Sequence, residues 1–175
     1  PQLRVVGGDA AAQPHGASAV MAAAERAIAA LPHRNDFRGW QKPLAARGEA
    51  RLASAALRDL AFALDATPGN KTITPAMEAA SSDFYRGLLR GLFDADGSVQ
   101  GTHDKGISVR LTQADRGLLE AAQRMLLRMG IASTIYRERR PGGDALLPDG
   151  KGGRKPYTRQ ALHELVIAGD NLAVF

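Results

Sequence analysis

The chain alternates between apolar positions spaced for helices and apolar positions spaced for strands. An alanine-rich run over Ala17–Leu31, entered through Pro14-His15-Gly16, predicts a helix. Ser54–Leu64 predicts a second, with apolar residues at Ala56, Leu57, Leu60, Phe62 and Leu64. Ser82–Phe93 predicts a third: Ser81 or Ser82 can cap it, Asp83 falls in its first turn, and Asp94-Ala95-Asp96-Gly97 ends it. Asp115–Met129 predicts a fourth, amphipathic and closed by Gly130. Strand-like segments lie at Leu3–Gly7, Asp36–Gln41, Glu49–Ala53, Ser98–His103, Gly106–Thr112, Ser133–Arg139 and Leu162–Ile167. In Gly106–Thr112, Ile107, Val109 and Leu111 alternate with Ser108, Arg110 and Thr112, the period of a sheet with one buried face. A turn at Asp104-Lys105 makes this segment a hairpin with Ser98–His103. Pro141-Gly142-Gly143 through Lys151-Gly152-Gly153 predicts a loop, and Gly169-Asp170-Asn171 the start of a last helix.

The order of elements repeats. Leu3–Gly7, helix, Asp36–Gln41, Glu49–Ala53, helix parallels Ile107–Thr112, helix, Ser133–Arg139, Leu162–Ile167, helix start. The second copy has in front of it the Ser82–Phe93 helix and the Ser98–His103 strand, which the first copy lacks. The expectation is an α+β chain of two related parts, with residues 1–68 the remnant of a first half and residues 69–175 a second half whose leading helix, with its polar end, covers residues 82–97. Pro1-Gln2-Leu3-Arg4 has no initiator methionine and reads as a piece of a longer frame.

Composition narrows the chemistry. With 45% hydrophobic and 23% charged residues the chain can form a packed core. Lacking cysteine, it cannot use disulfides, thiolate nucleophiles, thiolate zinc sites or iron–sulfur clusters. No apolar run approaches the roughly 18 residues of a membrane span, and no signal segment is seen, so the expected location is the cytoplasm. The net charge is +5 and the pI about 10.0, carried mostly by arginine, which suits bidentate contacts with phosphate and guanine. Basic residues gather at Arg137, Arg139, Arg140, Lys151, Arg154, Lys155 and Arg159. Taken alone, that stretch is better explained as a solvated basic loop than as a DNA contact.

The segment richest in chemistry is Leu88 to Ser98. Gly87 and Gly91 share one helix face, where each glycine costs about 1 kcal/mol; close backbone approach by another helix is a physical reason to keep them. Asp94 and Asp96 stand at the negative end of the helix dipole, where a nearby cation would offset the penalty. A calcium loop does not fit, because Gly97 falls two places early and the twelfth position is Lys105. A phosphate loop at Gly69-Asn70-Lys71-Thr72 lacks its leading glycine and its following helix. His15, His33, His103 and His163 show no ligand or triad spacing.

Leu89–Gly97 reads L-R-G-L-F-D-A-D-G and resembles the LAGLIDADG signature at seven of nine positions. The family is that of the dodecapeptide (DOD-type) homing endonucleases, found free-standing and inside inteins. Gly69-Asn70-Lys71 with Pro75 is similar to the segment before the second signature of intein-borne members. Gly130-Ile131-Ala132-Ser133 and His163-Glu164-Leu165-Val166-Ile167 resemble its later strands. No convincing second signature is present, and the repeat puts the symmetry-related acid upstream of Pro1.

The resemblance implies two αββαββα halves whose signature helices pack at a pseudo-twofold axis, here through Gly87 and Gly91, with antiparallel sheets forming a saddle over duplex DNA. It implies Mg²⁺, or another divalent cation, on Asp96 at the cut, with Lys71 assisting and Asp94 a helix-end and packing residue. It also implies a monomeric pseudo-dimer when complete, and an intein splicing domain and host protein as partners. The alternation supplies a DNA-facing row of Ser98, Gln100 and Thr102, then Ser108, Arg110 and Thr112, although outward positions of any half-buried sheet are polar. Lys105, Arg137, Arg139, Arg140, Arg154 and Lys155 would extend the grip along phosphates. Strand register leaves open whether Tyr136 or Arg137 faces the DNA. The expected activity is Mg²⁺-dependent, site-specific cleavage of double-stranded DNA. The alternatives are a DNA-binding module without cleavage and a decayed insert of a protein-splicing element.

Overall fold

The computed structural model describes residues 2–6, 14–44, 49–102, 104, 106–148, 150 and 152–175. Contacts divide the chain into two units, Pro1–Thr67 and Pro68–Phe175. Lys105, Lys151 and His103, named above, lie outside the described residues.

The first unit contains β1 (Gln2–Val6), α1 (Pro14–Ala29), β2 (Gln41–Leu44), β3 (Glu49–Ala53) and α2 (Ala55–Ala63). Its strands form an antiparallel sheet in the order β1-β3-β2. Ile28, Ala50 and Leu52 are its buried apolar residues among those described, and Ser54 caps α2 by accepting from the Leu57 N–H at 3.2 Å. The strand expected over Asp36–Gln41 is displaced, beginning at Gln41. The cause is local: the Phe37 N–H closes a turn on the Arg34 carbonyl at 3.0 Å, and Gly39 adopts φ 63°, which is incompatible with extended pairing. Trp40 donates its indole N–H to the Met21 carbonyl of α1 at 3.1 Å, so its aromatic character serves a helix contact rather than a strand.

The second unit contains α3 (Pro75–Glu78), α4 (Ser82–Asp96), β4 (Gly97–Thr102), β5 (Gly106–Gln113), α5 (Arg116–Arg128), β6 (Thr134–Arg140), β7 (Gly143–Pro148), β8 (Arg154–Arg159) and β9 (Leu162–Ala168). A four-stranded antiparallel sheet runs β4-β5-β9-β6. Leu111 on β5 pairs with Leu165 on β9, and both are fully buried. α5 supplies Leu118, Leu119, Ala122, Met125 and Leu126 at helical spacing, and α4 supplies Tyr85, Leu89 and Phe93. Each fully buried large side chain contributes about 1.5–3 kcal/mol, so these two stripes hold the unit together.

Several expectations need correction here. The helical pattern seen over Ser82–Phe93 runs on through Asp96, within one residue of the signature helix expected over residues 82–97, and β4 begins on the very next residue. Gly97 permits that junction, since a Cβ there would collide with the Phe93 carbonyl oxygen. Gly87 and Gly91 are exposed, with nothing within 4 Å of an added Cβ at either; the helix is buried through Tyr85, Leu89 and Phe93 instead. The glycine-rich basic stretch is not simply a loop. β7 and β8 pair from Gly143↔Arg159 to Pro148↔Arg154, and Thr158 donates to Asp144 at 2.8 Å. Almost none of that hairpin is buried, which is why apolar periodicity gave no strand signal. Gly169–Ala173 forms a 3-10 helix rather than an α-helix.

Candidate nucleic-acid interface and acidic centre

Asp96 occupies the last position of α4 and is exposed. Its Oδ2 accepts a hydrogen bond from the Gln113 amide Nε2 at 2.7 Å. The hairpin makes this contact. Gly97 pairs with Leu111, so the last residue of β5 returns to the last turn of α4. Gln113 was not singled out from the sequence, yet its position follows once the turn is centred on Asp104, because that fixes the pairing of both strands. Asp94 is not the packing residue expected; it is exposed, and its carboxylate lies 3.6 Å from Arg90 one helical turn back. Among the described residues no group of three or more His, Cys, Asp or Glu could hold a metal ion. A lone carboxylate with an amide partner is still a donor set that suits Mg²⁺, which binds through one or two carboxylates and takes its other oxygens from phosphate and water. Lys71 is exposed in the stretch before α3, and no hydrogen bond or ion pair joins it to Asp96 among the described residues.

One face of the sheet is polar. Register puts Ser98 opposite Arg110, Gln100 opposite Ser108, and Thr112 opposite Glu164. Tyr136 also pairs with Glu164, so Tyr136, not Arg137, shares this face with Arg110. Beyond Tyr136 the register shifts, Glu138 takes φ 48°, and its N–H donates to His163 Nδ1 at 3.1 Å, forming a bulge that strand alternation could not anticipate. Ser98, Gln100 and Thr102 are exposed. Ser108 departs from the expected open row: it is buried, receives Arg110 Nε at 2.9 Å and donates to the Gln100 carbonyl at 3.3 Å. Arg110 is itself tied by Nη1 to Glu164 Oε2 at 3.1 Å. Glu164, which the sequence reading passed over as a strand residue, is buried in the middle of this face. Arg137, Arg139 and Arg140 on β6 and Arg154 and Lys155 on β8 are all exposed.

The model of the LAGLIDADG-like domain matches residues 83–175, from the first turn of α4 to the last residue. The chain belongs to that family. The ribonucleoside-diphosphate reductase NrdEB subunit alpha of Bacillus subtilis (strain 168) is 37% identical to it over 93 residues, 53% of this chain and 8% of that protein. A DNA polymerase of Thermococcus sp. (strain GE8) is 34% identical over 74 residues, 42% of this chain and 4% of that protein. The matched stretch thus covers under a tenth of the length of these curated relatives. Among solved structures, the homing endonuclease I-DmoI matches in mesophilic variants with a TM-score of 0.51 at 15% identity, covering 99% of this chain and 76% of that one. Another I-DmoI variant, solved with its target DNA in the presence of Mg, gives a TM-score of 0.50 at 15% identity over 95% and 73% of the two chains. The mixed helical and antiparallel fold of the LAGLIDADG homing endonucleases is therefore the fold of this chain. Among the described residues no helix is long and apolar enough to cross a membrane.

Proposed function

We propose that this LAGLIDADG-like domain binds duplex DNA through the polar face of its four-stranded sheet and hydrolyses a phosphodiester bond at Asp96. The observation that carries the reading is the Asp96–Gln113 pair: a carboxylate fixed by an amide, at the end of a helix and the edge of that face. Mg²⁺ bound to Asp96 would activate water and neutralise charge on the phosphate. Gln113 holds the carboxylate rotamer by engaging one oxygen, which favours the other for a cation. In the reaction a water oxygen forms a bond to phosphorus, the bond to the leaving sugar oxygen breaks, and that oxygen takes up a proton. Lys71, as a cation in the segment the family resemblance marks, would steady the developing charge. Ser98, Gln100, Thr102, Arg110, Thr112, Tyr136 and Arg139 would meet base edges, while Arg140, Arg154, Lys155 and Lys105 would meet phosphates.

The setting we infer is an intein-like insert. A ribonucleotide reductase and a DNA polymerase catalyse unrelated reactions, yet each contains a stretch like this one in a small fraction of its length. A mobile element placed in different hosts accounts for that distribution. The test is incubation of the chain with Mg²⁺ and a library of randomised duplex DNA, with sequencing of the broken strands. We expect cleavage at a recurrent sequence, abolished by Asp96→Asn while DNA binding persists. Binding without cleavage under all divalent cations would leave the non-cleaving DNA-binding module standing.

A further inference from the structure

One side chain on the polar sheet face carries the wrong sign for contact with a polyanion. Glu164 is 5% exposed on β9, a central strand of the sheet. A carboxylate withdrawn from water is costly unless it is paired. This one is paired twice through a single oxygen: Oε2 accepts from Arg110 Nη1 at 3.1 Å and lies 3.6 Å from Arg139 Nε. The arginines come from strands on either side of β9, Arg110 from β5 and Arg139 from β6. Each has a second hold. Arg110 Nε donates to the buried Ser108 hydroxyl at 2.9 Å, and the Arg139 guanidinium lies over the Tyr136 ring at 5.2 Å. Arg139 follows Glu138, whose φ of 48° marks the bulge that breaks the alternation of β6.

We propose that Glu164 is a positioning residue for sequence reading: it pins Arg110 and Arg139 to the sheet so that their guanidinium groups meet base edges in a fixed orientation. This rests on the reading of the sheet as a DNA-facing surface. Unpinned arginines on long, flexible side chains swing to the nearest phosphate, which adds affinity without specificity. The shared carboxylate cancels one of the two positive charges and leaves other N–H groups of each fork for acceptors such as guanine O6 and N7. Ser108 and Tyr136 then set the direction in which each fork points.

The experiment compares the unaltered chain with Glu164→Gln and Ser108→Ala on randomised duplex DNA, reading base preference by selection and salt dependence by titration. For Glu164→Gln we expect preference at the selected positions to fall about tenfold, while the slope of log affinity against log salt steepens by about one phosphate contact. Ser108→Ala should lose part of the same preference with the slope unchanged, and it decides the matter if Glu164→Gln does not fold by circular dichroism. Preference and slope both unchanged in a folded Glu164→Gln, or preference unchanged in Ser108→Ala where it must decide, would overturn the proposal while leaving the DNA-facing sheet intact. An unaltered chain that binds no duplex overturns the DNA-facing reading, and the role of Glu164 falls with it.

Discussion

A carboxylate on the last residue of a helix faces the negative end of the helix dipole, a placement disfavoured by some tenths of a kcal/mol. Asp96 keeps that position although it is exposed and free to be replaced by a neutral residue without disturbing the core. The Gln113 amide, donating at 2.7 Å, offsets part of the cost and restricts the carboxylate to one rotamer. A partner of this kind tunes a ligand more than it stabilises a fold. Gln113→Ala should therefore leave the melting temperature nearly unchanged and raise the Mg²⁺ concentration needed for cleavage, lowering activity about 10- to 100-fold at limiting metal. A Mg²⁺ titration of strand breakage checks it, and an unchanged half-saturating concentration would show that the amide serves only the fold. Asp96 stands out in the sequence because two carboxylates after a glycine-spaced helix have a short list of explanations. Gln113 does not, because a polar residue at a strand end is unremarkable until the hairpin register brings it to Asp96. Glu164 is hidden for a related reason: nothing local reports that the two arginines flanking it in space come from strands far apart in sequence.

At the scale of elements, a clamp joins three helices. Glu78, at the end of α3, accepts from Arg124 of α5 at 2.6 and 2.8 Å, and its backbone carbonyl accepts from Arg128 Nη1 at 2.6 Å and from the Tyr85 hydroxyl of α4. The hydrogen bond from Arg124 is the main cause holding the Glu78 carboxyl below its ordinary 4.5; burial opposes the shift, and the charges of Arg124 and Arg128 add to it. A carboxylate with a depressed folded pKa contributes stability that is present above the unfolded value and lost as pH falls through the folded one. As pH falls below that ordinary value, the melting temperature of the unaltered chain should drop by more than that of Glu78→Gln, and the two curves should converge in acid. Parallel curves would mean that the clamp contributes nothing through its charge. Of the clamp's helices α4 and α5 were legible, from the segments Ser82–Phe93 and Asp115–Met129, whereas the single turn of α3, capped by Thr74, was not. The ion pair was not, as Glu78 and Arg124 lie 46 positions apart. Strands with no buried face, such as β7 and β8, leave no periodic trace, whereas β5 and β9, buried on one side, leave a clear one.

At the scale of the whole molecule, the amphipathic α4 is half used. Tyr85, Leu89 and Phe93 bind it to the second unit, while Gly87 and Gly91 present bare backbone with open space beside them. Glycine in that position costs helix stability of about 1 kcal/mol relative to alanine, and no contact among those described returns it. Taken as a lone helix, Gly91→Ala should therefore stabilise the chain by up to about 1 kcal/mol in denaturant unfolding. If the glycines instead serve a second signature helix, the same substitution should impair whatever depends on that pairing. Strand breakage is the readout, because the chain's sequence contains one signature-like segment, hence one such acid, and a duplex has two strands to cut. We expect nicked circles from a supercoiled plasmid carrying the selected site at low chain concentration. Linear product should rise with the square of chain concentration if two copies pair through their glycine faces. Gly91→Ala should then keep the nicking rate, gain in melting temperature and lose the concentration-dependent linear product. Linear product that scales with the first power of concentration and survives Gly91→Ala would remove the pairing role from these glycines and require a second acidic centre elsewhere in the chain.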